Sequence, residues 1–565
     1  RQAKELGLVS RLAAHASGSA AYTASVLFRR GVPEVLLSSS LQGMALSLPA
    51  PLAKSAEAAL PVRFESALLP GTLEAGQTLQ DQLSLSIGRI AAVNYVRDVS
   101  GLEPRVIRGG IGVGLEAGES VPAPDNGVGA NINLARVDLD AWEKMLDDAT
   151  GGGISKSGAA TPSAASSGAS AAAMSYLPTL MAIRAKELKL QGRSLNNVVV
   201  GASRDGLNWR ANIDAAELDG YLEFRQPGAQ GAGRLYARLS RLSLAASEAS
   251  EVEAMLDEQP ASIPALDIVV ENMALRGKKL GRIEIDAVNR SGSAAEGGVR
   301  EWRLNKFNII LPEAVLTASG NWTAIVPSGP RAAAPPGERR RSAMDFRLDI
   351  ADSGELLKRF GMDGVIRRGK GRLEGQVAWI GSPLSLDYPS LSGQVNVNVE
   401  SGQFMKAEPG IAKLLGVLSL QSLPRRLTLD FRDVFSQGFA FDFVRGDVGI
   451  QQGVAKTNNL QMSGVNAAVL MDGSANVEDE TQDLRVVVVP EINAGTASLI
   501  ATAINPVVGL GTFLAQMFLR RPLMEAATQE FHIDGTWADP KITKINRKAR
   551  VQSPARELVP ETKQP

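Results

Sequence analysis

Residues 394–400 read QVNVNVE, so Val395, Val397 and Val399 alternate with Asn396, Asn398 and Glu400. A strand sends successive side chains to opposite faces, and this spacing predicts a half-buried strand with one apolar and one polar side. The pattern spreads outward from there. RRLTLDF (425–431) puts Leu427, Leu429 and Phe431 on one face, and GFAFDF (438–443) does the same with Phe439, Phe441 and Phe443. Val448 and Ile450 follow in DVGI, Leu460 and Met462 in NLQM, and Leu484, Val486 and Val488 in DLRVVVV. Each run stops at Gly, Asn, Asp or Pro, residues that break strands. Upstream, LNNVVVGAS, GRLYARLSRLSL, GRIEIDAVN and REWRLNKFNIIL repeat the theme. A mainly β chain of half-buried antiparallel strands is the expected fold class.

Glycine punctuates this pattern in a recurrent setting, small or apolar residue, x, Gly, x, apolar residue, at Gly220, Gly320, Gly375, Gly393, Gly473 and Gly535. Turns with positive φ or bulges at strand starts explain such glycines. LPTL…LKLQGRSL around Gly192 matches IPAL…ALRGKKL around Gly277, 85 residues on, which predicts a duplicated multi-strand unit. Helices are few. LDAWEKMLDDA (139–149) brings Leu139, Trp142 and Leu146 towards one face, and DSGELLKRFGM offers Asp352 or Ser353 as N-cap and Gly361 as stop. The expected layout is a β segment over 1–150, a low-complexity loop over 151–176, a duplicated β segment over 177–325, a linker over 326–342, a C-terminal β domain over 343–546 and a disordered tail over 547–565.

Composition excludes much chemistry. Lys and Arg number 60 and Asp and Glu number 60, so no net charge draws the 565-residue chain to nucleic acid. Cysteine is absent and the two histidines are His15 and His532, which removes disulfides, thiol catalysis and Cys/His metal sites. No phosphate loop, H-E-x-x-H or G-x-S-x-G occurs. Gly112, Gly114 and Ala117 satisfy G-x-G-x-x-A, but GESVPAPDNG follows where a dinucleotide fold needs a helix. Asp479 and Glu480 fall in a turn-like polar stretch and His532 in a strand alternation. The sequence therefore predicts no enzyme, no catalytic residue, no cofactor and no metal.

One stretch departs from alternation. Residues 492–519 carry no charge and run into Arg520 and Arg521. A membrane-spanning helix needs about 20 such residues, yet Pro506, Gly509 and Gly511 divide the stretch into two short helices, near 496–504 and 507–519. At 1.5 Å per residue each reaches about 13–20 Å, short of a hydrocarbon core of about 30 Å. Two readings remain open: helices that close off the sheet, or partial insertion into a membrane face through Leu499, Ile500, Ile504, Pro506, Val507, Leu510, Phe513, Leu514, Met517 and Phe518, with Arg520 and Arg521 at the headgroups.

GQFMKAEPGIAKLLGVLSLQSLPRRLTLDF (402–431), the strands after it to Met462, ETQDLRVVVVPEI (480–492), INPVVGLGTFLAQ (504–516) and GTWADPKI (535–542) resemble the C-terminal part of the YhdP branch of the AsmA-like family. The resemblance is specific over about 390–545 and weaker from about 177, where IPALDI, GRIEI and LTASGNW recur. It implies a long twisted antiparallel sheet rolled into an open apolar groove, β-taco-like, with a few short helices near its C-terminal end. It also implies a periplasmic protein of a Gram-negative bacterium that moves phospholipid between inner and outer membranes and supports the outer-membrane permeability barrier. Implied partners are phospholipid acyl chains, the inner membrane through an N-terminal anchor and the outer membrane through the C-terminal helices. The chain opens RQAKELGL without Met or a signal-peptide pattern, so such an anchor is expected upstream. Alternation alone fits sandwich or barrel arrays equally well. A structural or adhesive envelope protein, and an outer-membrane assembly factor like the TamB proteins, are the alternative functions.

Overall fold

The computed structural model describes residues 15–29, 31–72, 74, 77–101, 104–116, 119–150, 175–190, 192–227, 233–244, 264–275, 277–291, 300–325, 340–383, 386–405, 439–464, 467–490, 504–520, 528–537 and 539–545. Two compact units divide at Ser291 and Gly292. Both are mainly β, as the alternation predicts.

The first unit opens with β1 (Ala16–Gly18), β2 (Tyr22–Arg29), β3 (Val32–Ser39), β4 (Met44–Leu46) and β5 (Val62–Leu68). It continues with β6 (Gln80–Ile87), β7 (Ala91–Asp98), β8 (Arg105–Val113), β9 (Gly127–Asp138) and helix α1 (Leu139–Thr150). Then come β10 (Leu180–Leu190), β11 (Arg193–Asp205), β12 (Asn208–Asp214), β13 (Leu218–Arg225), β14 (Arg234–Leu244), β15 (Ala265–Leu275) and β16 (Lys278–Ser291). β1 pairs with β4 apart from the rest. The others form a ladder in chain order from β2 to β16.

The expected all-antiparallel pairing needs correction, because β8–β9, β9–β10 and β14–β15 are parallel. Parallel neighbours require the chain to return to its starting edge through a crossover of about a dozen residues or more. The long connections 114–126, 139–179 and 245–264 lie at those three places. The 85-residue repeat now has a structural meaning. β10–β11 and β15–β16 are hairpins whose turns hold Gly192 and Gly277, both at φ +74°, and each hairpin's first strand enters parallel to its predecessor.

The first crossover also explains the G-x-G match. Gly110, Gly112 and Gly129 lie on the polar face of β8 and β9, and a Cβ on any of them would strike Val121 or Pro122. The segment after β8 returns flat across that glycine floor, with no nucleotide fold. α1 starts from Asp138, whose Oδ1 accepts the Ala141 amide at 2.9 Å, and Trp142 Nε1 donates to the Ala50 carbonyl at 3.1 Å. Leu139 is exposed, and Met145 rather than Leu139 takes a buried position.

The second unit contains β17 (Arg300–Ile310), β18 (Ala314–Ala324), β19 (Arg340–Ile350), α2 (Ser353–Arg359), β20 (Ile366–Arg367), β21 (Lys370–Ile380) and β22 (Ser392–Phe404). It ends with β23 (Phe439–Gln451), β24 (Val454–Gly464), β25 (Ala467–Asn476), β26 (Thr481–Pro490), α3 (Gly509–Arg520), β27 (Gln529–Thr536) and β28 (Pro540–Ile545). These strands pair antiparallel in chain order, with β20 and β21 sharing one side of β22. Asp352 is the N-cap of α2, its Oδ1 accepting the Gly354 and Glu355 amides at 2.9 and 3.1 Å, and Gly361 follows at φ +89°. Leu356 buries against Leu311 and Ala314.

Arg359, in the last turn of α2, donates to Glu313 in the β17–β18 turn, Nη2 to Oε2 at 3.0 Å. The Arg359 hydrogen bonds hold the buried Glu313 carboxyl below its ordinary range, against the opposing effect of burial. A carboxyl depressed on folding stabilises above its unfolded pKa of about 4.3, and that contribution fades as pH falls through the folded value. Glu313→Gln is therefore expected to lower stability near pH 7 by about 1–3 kcal/mol. The deficit should shrink on acidification, read as converging melting temperatures of variant and parent.

Candidate functional site

Cross-strand register builds one continuous apolar face in each unit. In the first, Leu37, Phe64, Leu85, Val93, Ile111, Ala130, Met181, Ala202, Ala211, Leu222, Ala237, Ile268 and Ile285 stand opposite one another from β3 to β16 without a polar interruption. A second row runs beside it from Val62 through Ile87, Ala91, Val113, Ile132, Ile183, Val200, Ile213, Gly220, Leu239 and Val270 to Ile283. In the second unit one row is Phe307, Ala318, Phe346, Gly375, Val395 and Val448, and the next is Ile309, Leu316, Leu348, Leu373, Val397 and Gly446. Most of these side chains are only half-buried.

The opposite face is polar and cross-linked. Arg372 Nε meets Asp349 at 2.7 Å, Arg347 Nε meets the same carboxylate at 2.8 Å, and Asn396 Nδ2 donates to Asp447 at 2.9 Å. Such cross-strand pairs favour this register over a slipped one.

The recurrent glycines lie within strands on the apolar face, Gly220 and Gly393 close to a strand start; Gly220, Gly393, Gly473 and Gly535 take the expected positive φ, and Gly220 lies at a register shift. Gly375 stands between Phe346 and Val395, Gly320 between Leu304 and Met344, and Gly393 between Val377 and Ile450. A Cβ on Gly375 would collide with the Gln394 carbonyl and lie 3.0 Å from Val395 Cα; Gly220, Gly320, Gly393 and Gly473 face the next strand's backbone in the same way. Each glycine lets its neighbour fold sharply towards the apolar face, making a crease that any side chain would prop open.

Beside the first unit's rows, on the same face, lies a polar cluster that sequence reasoning missed. Asp81, 3% exposed, accepts Arg97 Nε at 3.0 Å and Ser66 Oγ at 3.0 Å. Arg97 Nη1 also donates to Tyr176 Oη at 3.3 Å, and Tyr95 Oη donates to the Tyr176 carbonyl at 3.0 Å, with the two rings edge to face at 5.3 Å. The paired charges pin Tyr176 onto the apolar face just before β10. Only the partners' distance in sequence hides this cluster.

The predicted lining residues divide into groups. Val395, Val397, Val448 and Ile450 occupy the half-buried rows. Phe441, Met462, Leu484, Val486 and Val488 belong to a closed core with Val444, Ala467, Val469, Met471, Phe531 and Ile533, against which Val399, Leu460, Ile366 and Ile542 pack. Strands as distant in the ladder as β20 and β28 share that core, so the apolar face here folds onto itself. Phe443 departs from Phe441. The register skips Asp442, turning Phe443 to the polar face opposite Glu400, with the Arg445 guanidinium 4.1 Å from its ring centre. Phe439 lies opposite Phe404. Leu427, Leu429, Phe431, Leu499, Ile500 and Arg521 lie outside the described residues.

The described part of the uncharged segment, from Ile504 on, covers the other face of the same strands. Leu510, Leu514 and Met517 of α3, with Ile504, bury against Ala468, Leu470, Val487 and Val489, and Phe513 and Phe518 pack beside them. Of the expected helical pair, the described part is α3, which starts at Gly509 rather than 507 and ends at Arg520; Ile504 is not helical. Val507 (89% exposed) and Leu519 (83%) remain outward, near opposite ends of α3, and Pro506 is exposed too. Among the described residues no helix is long and apolar enough to cross a membrane. His532 sits at the surface, 3.6 Å from Asp483 and 3.5 Å from Asp534.

Two substitutions test this geometry. Leu514→Ala empties a buried seat between α3 and the sheet and is expected to destabilise the second unit by about 2–5 kcal/mol in denaturant unfolding. Gly375→Val places a branched side chain into the β22 backbone, so loss of at least about 2 kcal/mol is expected by the same measurement, whereas the exposed neighbour change Gln376→Val should stay within about 0.5 kcal/mol.

Comparison with known proteins places the chain in a family. A family model described as YhdP protein matches residues 3–542. The chain is 29% identical over 276 residues to the intermembrane phospholipid transporter YhdP of Escherichia coli (strain K12), a match spanning 48% of this chain and 20% of that relative. No solved structure matches significantly. With nearly its whole length matched by one family model, the chain belongs to the YhdP protein family.

Proposed function

We propose that the chain is a non-enzymatic stretch of a phospholipid conduit in a Gram-negative envelope, in which the apolar face of each unit forms a groove for acyl chains. The unbroken, half-buried cross-strand rows carry this reading. An acyl chain leaving a bilayer loses roughly 0.8 kcal/mol per CH₂ exposed to water, and a continuous apolar strip avoids that loss at every step. Passage along such a strip calls for no fixed site, which suits a face of Val, Ile, Leu and Ala. The relative's printed name, an intermembrane phospholipid transporter, supports phospholipid as cargo. Val395, Val397, Val448 and Ile450 line the groove in the second unit, together with Phe346, Leu348 and Leu373 of the neighbouring strands.

A membrane contact at the C-terminal end is the second part of this reading, and it falls to Val507, Val508 and Leu519. These are the apolar groups of the region that stay exposed once α3 has docked. Anchorage in the inner membrane and support of the outer-membrane barrier belong to the same proposal.

The experiment is lipid capture by the detergent-free protein, followed by native mass spectrometry. Phospholipid is expected to copurify with the parent chain. Val397→Asp puts a charge where an acyl chain would lie, and desolvating it should cut captured lipid at least about tenfold, while Asn398→Asp on the polar face should leave capture unchanged. A lipid-free parent with a dry apolar face would favour a structural envelope protein, and copurifying β-barrel protein in place of lipid would favour an assembly factor.

A further inference from the structure

We infer that the path for hydrocarbon chains ends at β22 and β23, with β24–β28 forming a closed plug that the chains do not enter. This rests on the conduit reading and adds where the conduit stops.

Exposure changes abruptly along the apolar face. Val395, Val397 and Val448 are half-buried, whereas Met462 and Val486, further along the ladder, are each 1% exposed. Among the described residues, Ile366 and Ile542 from the two flanks pack against the same core.

Phe441 stands at the boundary. Its ring lies over Gly402, where any Cβ would run into the ring, so the missing side chain is the seat of the aromatic one. Both strands kink together there. Ser401 takes φ +35°, and β23 skips Asp442, which returns Phe441 to the apolar face two positions from the outward Phe443. A chain moving along the Val397 row towards β24 passes Gly446 and meets Leu460 and then the packed Met471 and Val486, while Phe441 closes the same core five residues further along β23.

The plug is also fixed from its other face. α3 covers Leu470 and Val487, while Asn458 Nδ2 donates to the Pro506 carbonyl at 2.7 Å and Asn459 Nδ2 to the Ile504 carbonyl at 3.3 Å. Opening the core towards β26 would disturb both layers at once. An acyl chain on the apolar face therefore stops at β22 and β23 and does not run on to the last strand.

The test uses the unmodified chain and a phosphatidylethanolamine carrying a diazirine on one acyl chain. After loading from vesicles and photolysis, labelled residues are mapped by peptide mass spectrometry. Label is expected on β19, β21 and β22, with at least tenfold less on the apolar-face residues of β25 and β26. Equal labelling of Val486 or Met471 and Val395 would overturn the plug while leaving the conduit standing. Absence of label from every strand would overturn the conduit, and the plug with it.

Discussion

The structure depends on parity. Side chains alternate strictly along a strand, so a slip of one residue between neighbours turns an entire apolar set to the wrong side. The rows from β3 to β16 hold their parity through three parallel crossovers, where Ile111 meets Ala130, Ala130 meets Met181 and Ala237 meets Ile268. At the β22–β23 kink parity is broken in both strands together. Val399 still faces Val444 on one side of the break, and Gly402 faces Phe441 on the other. A positive φ at Ser401 is of the order of 1–2 kcal/mol unfavourable for an L-residue. Removing it from one strand alone would set Asp442 against the core, which is the larger penalty.

Alternation made the strands legible one at a time. QVNVNVE and NLQM lie on the faces that their spacing predicts, and Gly192 and Gly277 sit in the turns that their repeat implies. The parallel pairs were not legible, because direction is set by where a long connection re-enters the sheet and not by anything within a strand. The glycines of the apolar face were legible only in part: Gly220, Gly393, Gly473 and Gly535 take the expected positive φ. What excludes a Cβ is the backbone of a paired strand distant in sequence, as with Gly375 and Gln394 or Gly320 and Ala343. GFAFDF reads as one face only if no bulge intervenes, and a register shift against β24 falls between Phe441 and Phe443, beside the positive φ of Ser401 in β22.

Open and closed parts of the apolar face also share one alphabet. Val397 and Val488 are the same residue on the same side of their strands, and what separates them is the second layer. Near the end of the chain alternation gives way to continuous apolar runs, AAVLM at 467–471 and VVVV at 486–489. A strand reads that way when both its faces are buried. Val486 and Val488 enter the core on one side, and Val487 and Val489 meet α3 on the other.

The described part of the uncharged segment, 504–519, and the VVVV run therefore explain each other. Taken alone, the first resembles a membrane element and the second an overly greasy strand. Together they are the two halves of one interface, and the apolar stripe of α3, Leu510, Leu514 and Met517, is the cover that a two-sided strand requires. Each of those side chains contributes about 1.5–3 kcal/mol on burial, so lifting α3 into a bilayer would strip the sheet of as much apolar contact as the bilayer supplied. Among the described residues, Val507, Val508 and Leu519 are the large apolar groups of this region that docking leaves outward, and the membrane contact proposed above rests on them, as a shallow surface contact rather than a spanning element.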